Sequence, residues 1–295
     1  MTEAPHYAVL FKAFFLDDFV RRRLAQVVAQ AGGADVYLML DETHGSAGPS
    51  TFPRVIRYTE ADAGALGLPR ISQGALFWYN ADYPLYYFQH LHPEYAYLVM
   101  IEYDAVPTGP LAPLVRECQA LGADFVGQPI AKTAREYWWT STMVAHYPNT
   151  AVRPYLICAA IFSAAAVRHL AACRRRQGLG HHPANTGQWP IGEAFVGTEL
   201  AQHGFRLLPL SHFGRLARYD WWPPTHESEL PELAGEAFVH PVLVGRRYVQ
   251  SVFKSHLSSG LIALLKFTLP GQLRQLPRRT WRRLVPRPAA VPPGR

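Results

Sequence analysis

The chain has 295 residues, of which 49% are hydrophobic and 17% charged, so it is long and apolar enough to bury a full core. Aromatic residues make up 13% of the sequence, which excludes a disordered or collagen-like chain. The cysteines, Cys118, Cys158 and Cys173, are too widely spaced for a zinc motif, and their odd number argues against a disulfide framework. We therefore predict a reducing, cytoplasmic environment.

The formal net charge of +7 is unevenly distributed along the chain. Residues 241–295 contain 11 Lys and Arg and no acid, which leaves 18 basic and 22 acidic residues before them. A mildly acidic body disfavours a nucleic-acid-binding core. The start of the sequence does not resemble a secretory signal, and no apolar run approaches the roughly 20 residues that span a bilayer.

Strand and helix patterns alternate along the chain, which predicts an α/β sheet with helices on both faces. In the first half the predicted elements are strand 7–11, helix 17–31, strand 35–40, strand 54–58, helix 82–90 and strand 95–103. In the second half they are helix 111–121, strand 124–127, strand 156–162, helix 164–176, helix 191–203 and strand 205–210. Residues 178–189, 221–224 and 227–236 have the composition of surface loops.

Two acids stand at the end of the most apolar predicted strand. In the run YAYLVMIEYD, Glu102 and Asp104 follow the hydrophobic residues one position apart. Carboxylates at a strand end suit a hard divalent cation such as Mg²⁺ or Mn²⁺ beside a diphosphate, because such ions bind few carboxylates and leave positions for phosphate oxygens. The alternative is that both acids are solvated loop residues where the chain leaves the core.

The stretch FWYNADYPLYYF, the run YAYLVMIEYDAVPTG and the later segment 189–205 carry a family resemblance. Glu102-Tyr103-Asp104 resembles the DxD-type motif of GT-A glycosyltransferases, with Glu in place of the first Asp. The longer stretches resemble a group of little-characterised bacterial glycosyltransferase-like proteins. The resemblance implies a GT-A-like (Rossmann-like) catalytic domain over residues 1–240, a nucleotide-sugar donor, and a role in the assembly of cell-surface glycans.

The resemblance also implies roles for individual residues. Asp104 would bind the metal, and Glu102 would contact ribose or a metal-bound water. His212 and His240 follow late strands, from which this fold often supplies a further metal ligand; either could instead be an ordinary histidine. Four residues at the first two strand ends and one in the aromatic stretch would contact the donor: Phe11, Lys12, Asp41, Glu42 and Asp82.

A second motif, GEAFVGTEL, opens the helix predicted at 191–203. It resembles the acidic motif from which inverting GT-A enzymes draw a general base. A carboxylate in that position would take the proton of the acceptor hydroxyl as it attacks the anomeric carbon. Glu193 is the first candidate for this base and Glu199 the second, and the alternative for each is an ordinary helix acid.

The basic extension, 241–295, contains an apolar segment at 257–269 followed by an Arg- and Pro-rich end. Such a segment suits an amphipathic helix at an anionic membrane surface, which would favour a lipid-linked acceptor over a soluble glycan. The alternative is a helix that closes the domain, followed by a disordered end.

Two other functions stay open at the level of sequence. A nucleotidyltransferase would use the same acids for a metal, but the Gly-rich basic loop that such enzymes place after the first strand is missing from FKAFFLDDF. A non-catalytic carbohydrate-binding or membrane-associated protein would need only the aromatics and the basic extension. Donor hydrolysis distinguishes this last class from an enzyme.

Overall fold

The structure, a computed structural model, describes residues 6–69, 76–130, 136–181 and 189–253. The chain divides into two units, Met1–Val244 and Gly245–Arg295. In the second unit residues 245–253 are helical, and the segments discussed above at 257–269 and 270–295 lie outside the described residues. None of the helices in the described ranges combines the length and the apolar character needed to cross a membrane.

A seven-stranded sheet forms the centre of the first unit, in the order β3-β2-β1-β4-β7-β6-β8. Its strands are β1 (Tyr7–Ala13), β2 (Asp35–Asp41), β3 (Val55–Tyr58), β4 (Tyr97–Glu102), β6 (Phe125–Pro129), β7 (Tyr155–Ser163) and β8 (Leu207–Pro209). Only β7 runs antiparallel to its neighbours, so the other strands share one direction and end at one edge. Two-residue strands form small ladders elsewhere: β5 (Val106–Pro107) with β10 (Phe238–Val239), and β9 (Thr225–His226) with β11 (Val242–Leu243).

Helices cover both faces of this sheet. They are α1 (Asp18–Gln30), α2 (Glu60–Ala65), α3 (Tyr83–Leu91), α4 (Leu111–Ala120), α5 (Ala164–Leu179) and α6 (Gly192–Gln202). One core packs apolar residues of α1 and α4 against the sheet, and the other packs residues of α3, α5 and α6 against the opposite face. The predicted mixed α/β fold is therefore confirmed, and the sheet is consistent with a GT-A-like, Rossmann-like architecture.

The long elements agree with the prediction to within a few residues, while several short ones differ. Helix α2 was not predicted, although Thr59 and Asp62 form a reciprocal capping box that starts it. Residues 227–236 were predicted as loop, but Glu227–Leu233 is a 3₁₀ helix capped by the side chain of His226. The strand predicted at 205–210 is shorter, because the chain turns into a 3₁₀ helix at Leu210–Phe213.

Candidate functional site

Lys12 and Glu102 form a buried ion pair where β1 and β4 end. The two residues are direct neighbours in the parallel register, and Lys12 Nζ lies 3.2 Å from Glu102 Oε1. The ammonium also donates to the carbonyl oxygens of Phe77 and Ala81, at 3.4 and 3.3 Å. Since an ammonium group has three donors, these contacts use all of them. Lys12 thus neutralises Glu102 from inside the protein.

Asp104 lies in the turn that follows β4, and its side chain is 15% exposed. Its backbone is held by Val242, whose amide donates to the Asp104 carbonyl at 2.8 Å. The Oδ1 atom is buried and accepts no hydrogen bond from any described residue. Burial raises the pKa of Asp104 to about 7. A buried carboxylate oxygen without a donor is costly, so this position favours the arrival of a positive charge.

His240 faces Asp104 from the end of β10. Its Nδ1 lies 2.9 Å from the carbonyl oxygen of Asp220, and because a carbonyl only accepts, Nδ1 carries the proton. In the neutral ring Nε2 then presents a lone pair, 3.7 Å from Asp104 Oδ1. Burial lowers the pKa of His240, which favours this neutral form. Two acceptor atoms therefore face each other across a gap that a cation would bridge.

Cys158, on β7, completes the group. The ligand atoms of Glu102, Cys158 and His240 all lie within 4.8 Å of one another. Burial raises the pKa of the thiol, and the carboxylates of Glu102 and Glu193 raise it further, so sulfur is protonated unless an ion binds. Asp104 is not part of this group of three, but it lies 3.7 Å from His240. A carboxylate, an imidazole and a thiol, with a second carboxylate next to the imidazole, fit a divalent cation softer than Mg²⁺.

Glu193 lies in the first turn of α6 and is half-buried. The hydroxyl of Tyr137 donates to its Oε2 at 3.1 Å, and the indole of Trp221 donates to its Oε1 at 3.2 Å. These two rings are nearly parallel, with centroids 6.4 Å apart. The charges of Glu193 and Glu102 both raise the pKa of Cys158, so the two predicted motifs lie in one electrostatic region.

Two of the three sequence stretches that carry the family resemblance, FWYNADYPLYYF and 189–205, also pack against each other. The Tyr79 hydroxyl donates to the carbonyl of Trp189 at 2.7 Å, and the Trp189 indole donates to Asn80 Oδ1 at 3.2 Å. Where α6 begins, the Gly192 amide donates to the Tyr79 carbonyl at 2.8 Å. A Cβ at Gly192 would lie 2.8 Å from Asp82 Oδ1, so this approach requires glycine.

Asp82 pairs with Arg174 and not with Glu102, Cys158 or His240, in contrast to the donor contact that the family resemblance implies for it. It is fully buried in a bidentate ion pair with Arg174, whose Nε and Nη2 lie 2.8 and 3.2 Å from its two oxygens. The hydroxyl of Tyr86 donates to the same carboxylate at 2.7 Å. Both oxygens are thus occupied by protein donors, and Asp82 joins α3 to α5 as a structural residue.

Glu199, the second candidate base, belongs to a different group of residues from Glu102, Cys158 and His240. Its carboxylate is 3% exposed and bonds to Tyr147 at 2.7 Å and to His169 at 2.8 Å. His203, one turn further along α6, lies 3.2 Å from the same carboxylate. Glu193 and Glu199 therefore belong to different polar groups, and Glu193 is the one beside Cys158.

Phe11 and His212 also lie apart from the acids. Phe11 is fully buried and packs in the core beneath α1. His212 is on the 3₁₀ helix after the edge strand β8, where its ring lies 3.1 Å from Glu117. It belongs to neither group of potential metal ligands found among the described residues.

Asp41 and Glu42 stand at the end of β2, two strands from β4. Asp41 is buried and accepts from the Thr43 amide at 2.9 Å, which caps the strand end. Glu42 pairs with Arg57 and accepts from the Ala47 amide at 2.8 Å. Both carboxylates therefore already shape the loop that follows the strand, and their contact with a donor stays a prediction.

Three residues of the site carried no sequence signal of their own. Cys158 comes beside Glu102 through antiparallel pairing of β4 and β7, which no local pattern encodes. Tyr137 belongs to the aromatic run YWW and Trp221 to the run WW, and neither run indicates a partner for its polar ring atoms. Glu193 was expected from the sequence, but the hydrogen bonds that both rings donate to it are visible only in three dimensions.

Comparison with known proteins gives a structural likeness but no match in sequence. No protein-family model and no curated protein matches the chain. Among solved structures, the chain is similar to a glycosyltransferase involved in the glycosylation of the major capsid of PBCV-1, with 10% sequence identity and a TM-score of 0.39. The alignment covers 80% of this chain and 94% of that chain. A likeness of this size assigns no activity, so inferences about function rest on the geometry of the site.

Proposed function

We propose that the chain is a GT-A-like glycosyltransferase, which moves a sugar from a nucleoside diphosphate donor to a hydroxyl of a glycan or lipid-linked acceptor. One observation carries the proposal: Asp104 Oδ1 and His240 Nε2 are two acceptor atoms 3.7 Å apart, beside Glu102. They lie at the edge where the parallel strands end, which is where open α/β sheets bind ligands.

Glu102, Asp104 and His240 would hold the divalent cation, with Cys158 as a further soft donor. Mg²⁺ prefers an all-oxygen shell, so an imidazole in the set favours Mn²⁺. When bound, such an ion offsets the negative charge that develops on the departing diphosphate. Hydrogen bonding of His240 Nδ1 to the Asp220 carbonyl orients the ring for this role, in the manner of supporting residues at metal sites.

Lys12 contributes by favouring the ionised form of Glu102. Burial raises the pKa of Glu102, and the adjacent ammonium of Lys12 is the largest opposing influence. With its donors occupied by protein acceptors, Lys12 is a positioning residue for Glu102 and does not need to reach the donor itself.

Glu193 would act as the general base. Its carboxylate takes the proton of the acceptor hydroxyl as that oxygen bonds to the anomeric carbon, while the bond from that carbon to the diphosphate breaks. Tyr137 and Trp221 hold the carboxylate from two sides, which fixes its direction. The helix N-terminus below it favours the charged form.

The acceptor class is proposed from the charge of the extension. Residues 241–295 carry 11 basic residues and no acid, and attraction to an anionic membrane would hold the enzyme near lipid-linked acceptors.

The test is a thermal-unfolding panel of nucleotide sugars with and without Mn²⁺. Selective ligands stabilise the native state according to concentration and affinity, so one donor should raise the melting temperature in the presence of Mn²⁺. His240→Gln should lose the Mn²⁺-dependent part, whereas the matched variant His212→Gln should retain it.

Donor hydrolysis, measured on the same samples, separates an enzyme from a binding protein. Slow, Mn²⁺-dependent release of nucleoside diphosphate is expected from the wild type. Binding without hydrolysis, with or without acceptor, would favour the non-catalytic alternative. Absence of any Mn²⁺-dependent donor effect would contradict the proposal.

A further inference from the structure

A second group of metal-ligating side chains lies on the outer side of α5 and α6, separate from the site above. It consists of His169 on α5, Glu199 on α6 and His203, the residue that caps the C-terminus of α6. Glu199 Oε1 lies 2.8 Å from His169 Nε2 and 3.2 Å from His203 Nδ1. All three ligand atoms are within 4.8 Å of one another.

Helix geometry explains why these side chains converge. Residues four apart share one face of a helix, so Glu199 and His203 project side by side from the end of α6. His169 comes from the neighbouring α5, and its ring centroid lies 4.6 Å from that of His203. Glu199 and His203, four residues apart, together with His169 from the neighbouring helix, offer three ligand atoms to one ion.

The carboxylate at the centre is held by supporting hydrogen bonds. Tyr147 donates to Glu199 Oε2 at 2.7 Å and accepts from Gln177 Nε2 at 2.8 Å. Oε1 is thereby directed at the two imidazoles. Outer-shell partners of this kind are typical of metal ligands, which they orient and make more basic.

Exposure of the two rings leaves room for an ion and its water. The Glu199 side chain is 3% exposed, whereas those of His169 and His203 are 21% and 47% exposed. An ion held from below by the carboxylate would therefore keep its outer positions toward solvent. Three protein ligands with an open position are the pattern of catalytic rather than structural zinc sites.

We propose that His169, Glu199 and His203 bind a transition-metal ion and that Zn²⁺ is the ion they favour. Two imidazole nitrogens and one carboxylate oxygen suit Zn²⁺ and suit Mg²⁺ poorly. A tetrahedral Zn²⁺ with bonds near 2.05 Å needs ligand atoms about 3.3 Å apart. The observed separations of Glu199 Oε1 from the two imidazole nitrogens, 2.8 and 3.2 Å, are close to this value, and the two nitrogens lie within 4.8 Å of each other.

Binding would exchange hydrogen bonds for coordination. His169 Nε2 now donates to the Glu199 carboxylate, and His203 Nδ1 donates to the Glu199 backbone carbonyl at 2.9 Å, because a carboxylate and a carbonyl only accept. On coordination each of these nitrogens would give up its proton, to the other ring nitrogen or to solvent. The ion then links α5 to α6, the helix that also bears Glu193.

The experiment is Zn²⁺ titration of the full chain by calorimetry, together with thermal unfolding. His203→Gln removes an exposed ligand and should weaken Zn²⁺ binding by more than the roughly 100-fold that loss of a supporting partner costs. His212→Gln is the matched control, because this exposed histidine also pairs with a glutamate, Glu117, but the part of the chain that the structure describes offers it no third ligand. It should leave Zn²⁺ binding unchanged.

Two further variants keep the test decisive. Tyr147→Phe removes only the supporting hydrogen bond and should weaken Zn²⁺ binding by about 10–100-fold in a folded protein. His240→Gln should retain the binding event that His203→Gln weakens, even where it removes a second event at its own group. Equal Zn²⁺ affinity in wild type and His203→Gln, or loss of binding in His240→Gln alone, would overturn the proposal.

Discussion

Replacing Asp82 by alanine tests whether the buried ion pair with Arg174 is the structural centre of the α3–α5–α6 side. The change leaves the Arg174 guanidinium in a fully buried position without its carboxylate. Two charge-assisted hydrogen bonds are lost, together with the one from Tyr86. Removal of one partner from a buried pair typically costs about 3–5 kcal/mol.

Part of the guanidinium environment survives the substitution. Arg174 Nη1 still donates to the Pro190 carbonyl at 2.8 Å, and its charge lies 3.7 Å from the centroid of the Phe195 ring. These contacts keep the expected loss within about 3–5 kcal/mol. For a domain of this size that corresponds to a fall in melting temperature of roughly 6–20 °C.

Urea and thermal unfolding measure this loss directly. Arg54→Ala is the matched control, because its pair with Asp35 is 48% and 32% exposed, and exposed pairs contribute about 0–1 kcal/mol. If Asp82→Ala is no more destabilising than Arg54→Ala, the structural role is refuted. Mn²⁺-dependent donor affinity, measured where both proteins are folded, should be unchanged in Asp82→Ala.

Three further predictions concern the base, the packing of α6 and the extension. Glu193→Gln should lower turnover by roughly 10²-fold or more with little change in donor affinity, whereas equal turnover would remove Glu193 from this role. Gly197→Ala should destabilise the protein by about 1–3 kcal/mol in urea unfolding, because its Cβ would lie 2.5 Å from the Arg153 carbonyl oxygen. Gly64→Ala, in open space on α2, should not be destabilising, and equal effects would contradict the packing argument. Truncation after Pro270 should abolish most sedimentation with anionic vesicles at low salt, and identical partitioning of full-length and truncated chains would indicate a domain-closing role.

The long elements were predictable because each is a local pattern of burial. Strand β4 is a continuous apolar run whose end is marked by Glu102, and α1 has apolar residues at helical spacing, so periodicity was sufficient. The two-residue ladders were not predictable, since pairing of β5 with β10 joins segments far apart in the chain. The position of β10 matters for the site, because His240 directly follows this strand and lies 3.7 Å from Asp104.

The candidate site was predictable only in part, because some of its contacts join residues that are far apart in the chain. The acids at the end of β4 and Glu193 at the start of α6 have local signatures in the sequence. From the sequence, Asp82 was also a candidate site acid. Its partner Arg174 is 92 residues away in the chain, and the ion pair between them holds the Asp82 side chain in the core. Likewise, the protonated nitrogen of His240 depends on the Asp220 carbonyl, a contact that sequence alone does not reveal.

The central claim is that Asp104 and His240 bind a divalent cation together with the donor diphosphate. Electron paramagnetic resonance of Mn²⁺ measures this directly, because the signal of the free hydrated ion falls as the ion binds. With a nucleoside diphosphate present, wild-type protein should deplete that signal, and Asp104→Asn should leave most of it in place, since one charged ligand is lost. Equal depletion by wild type and Asp104→Asn, in folded samples of equal concentration, would contradict the claim.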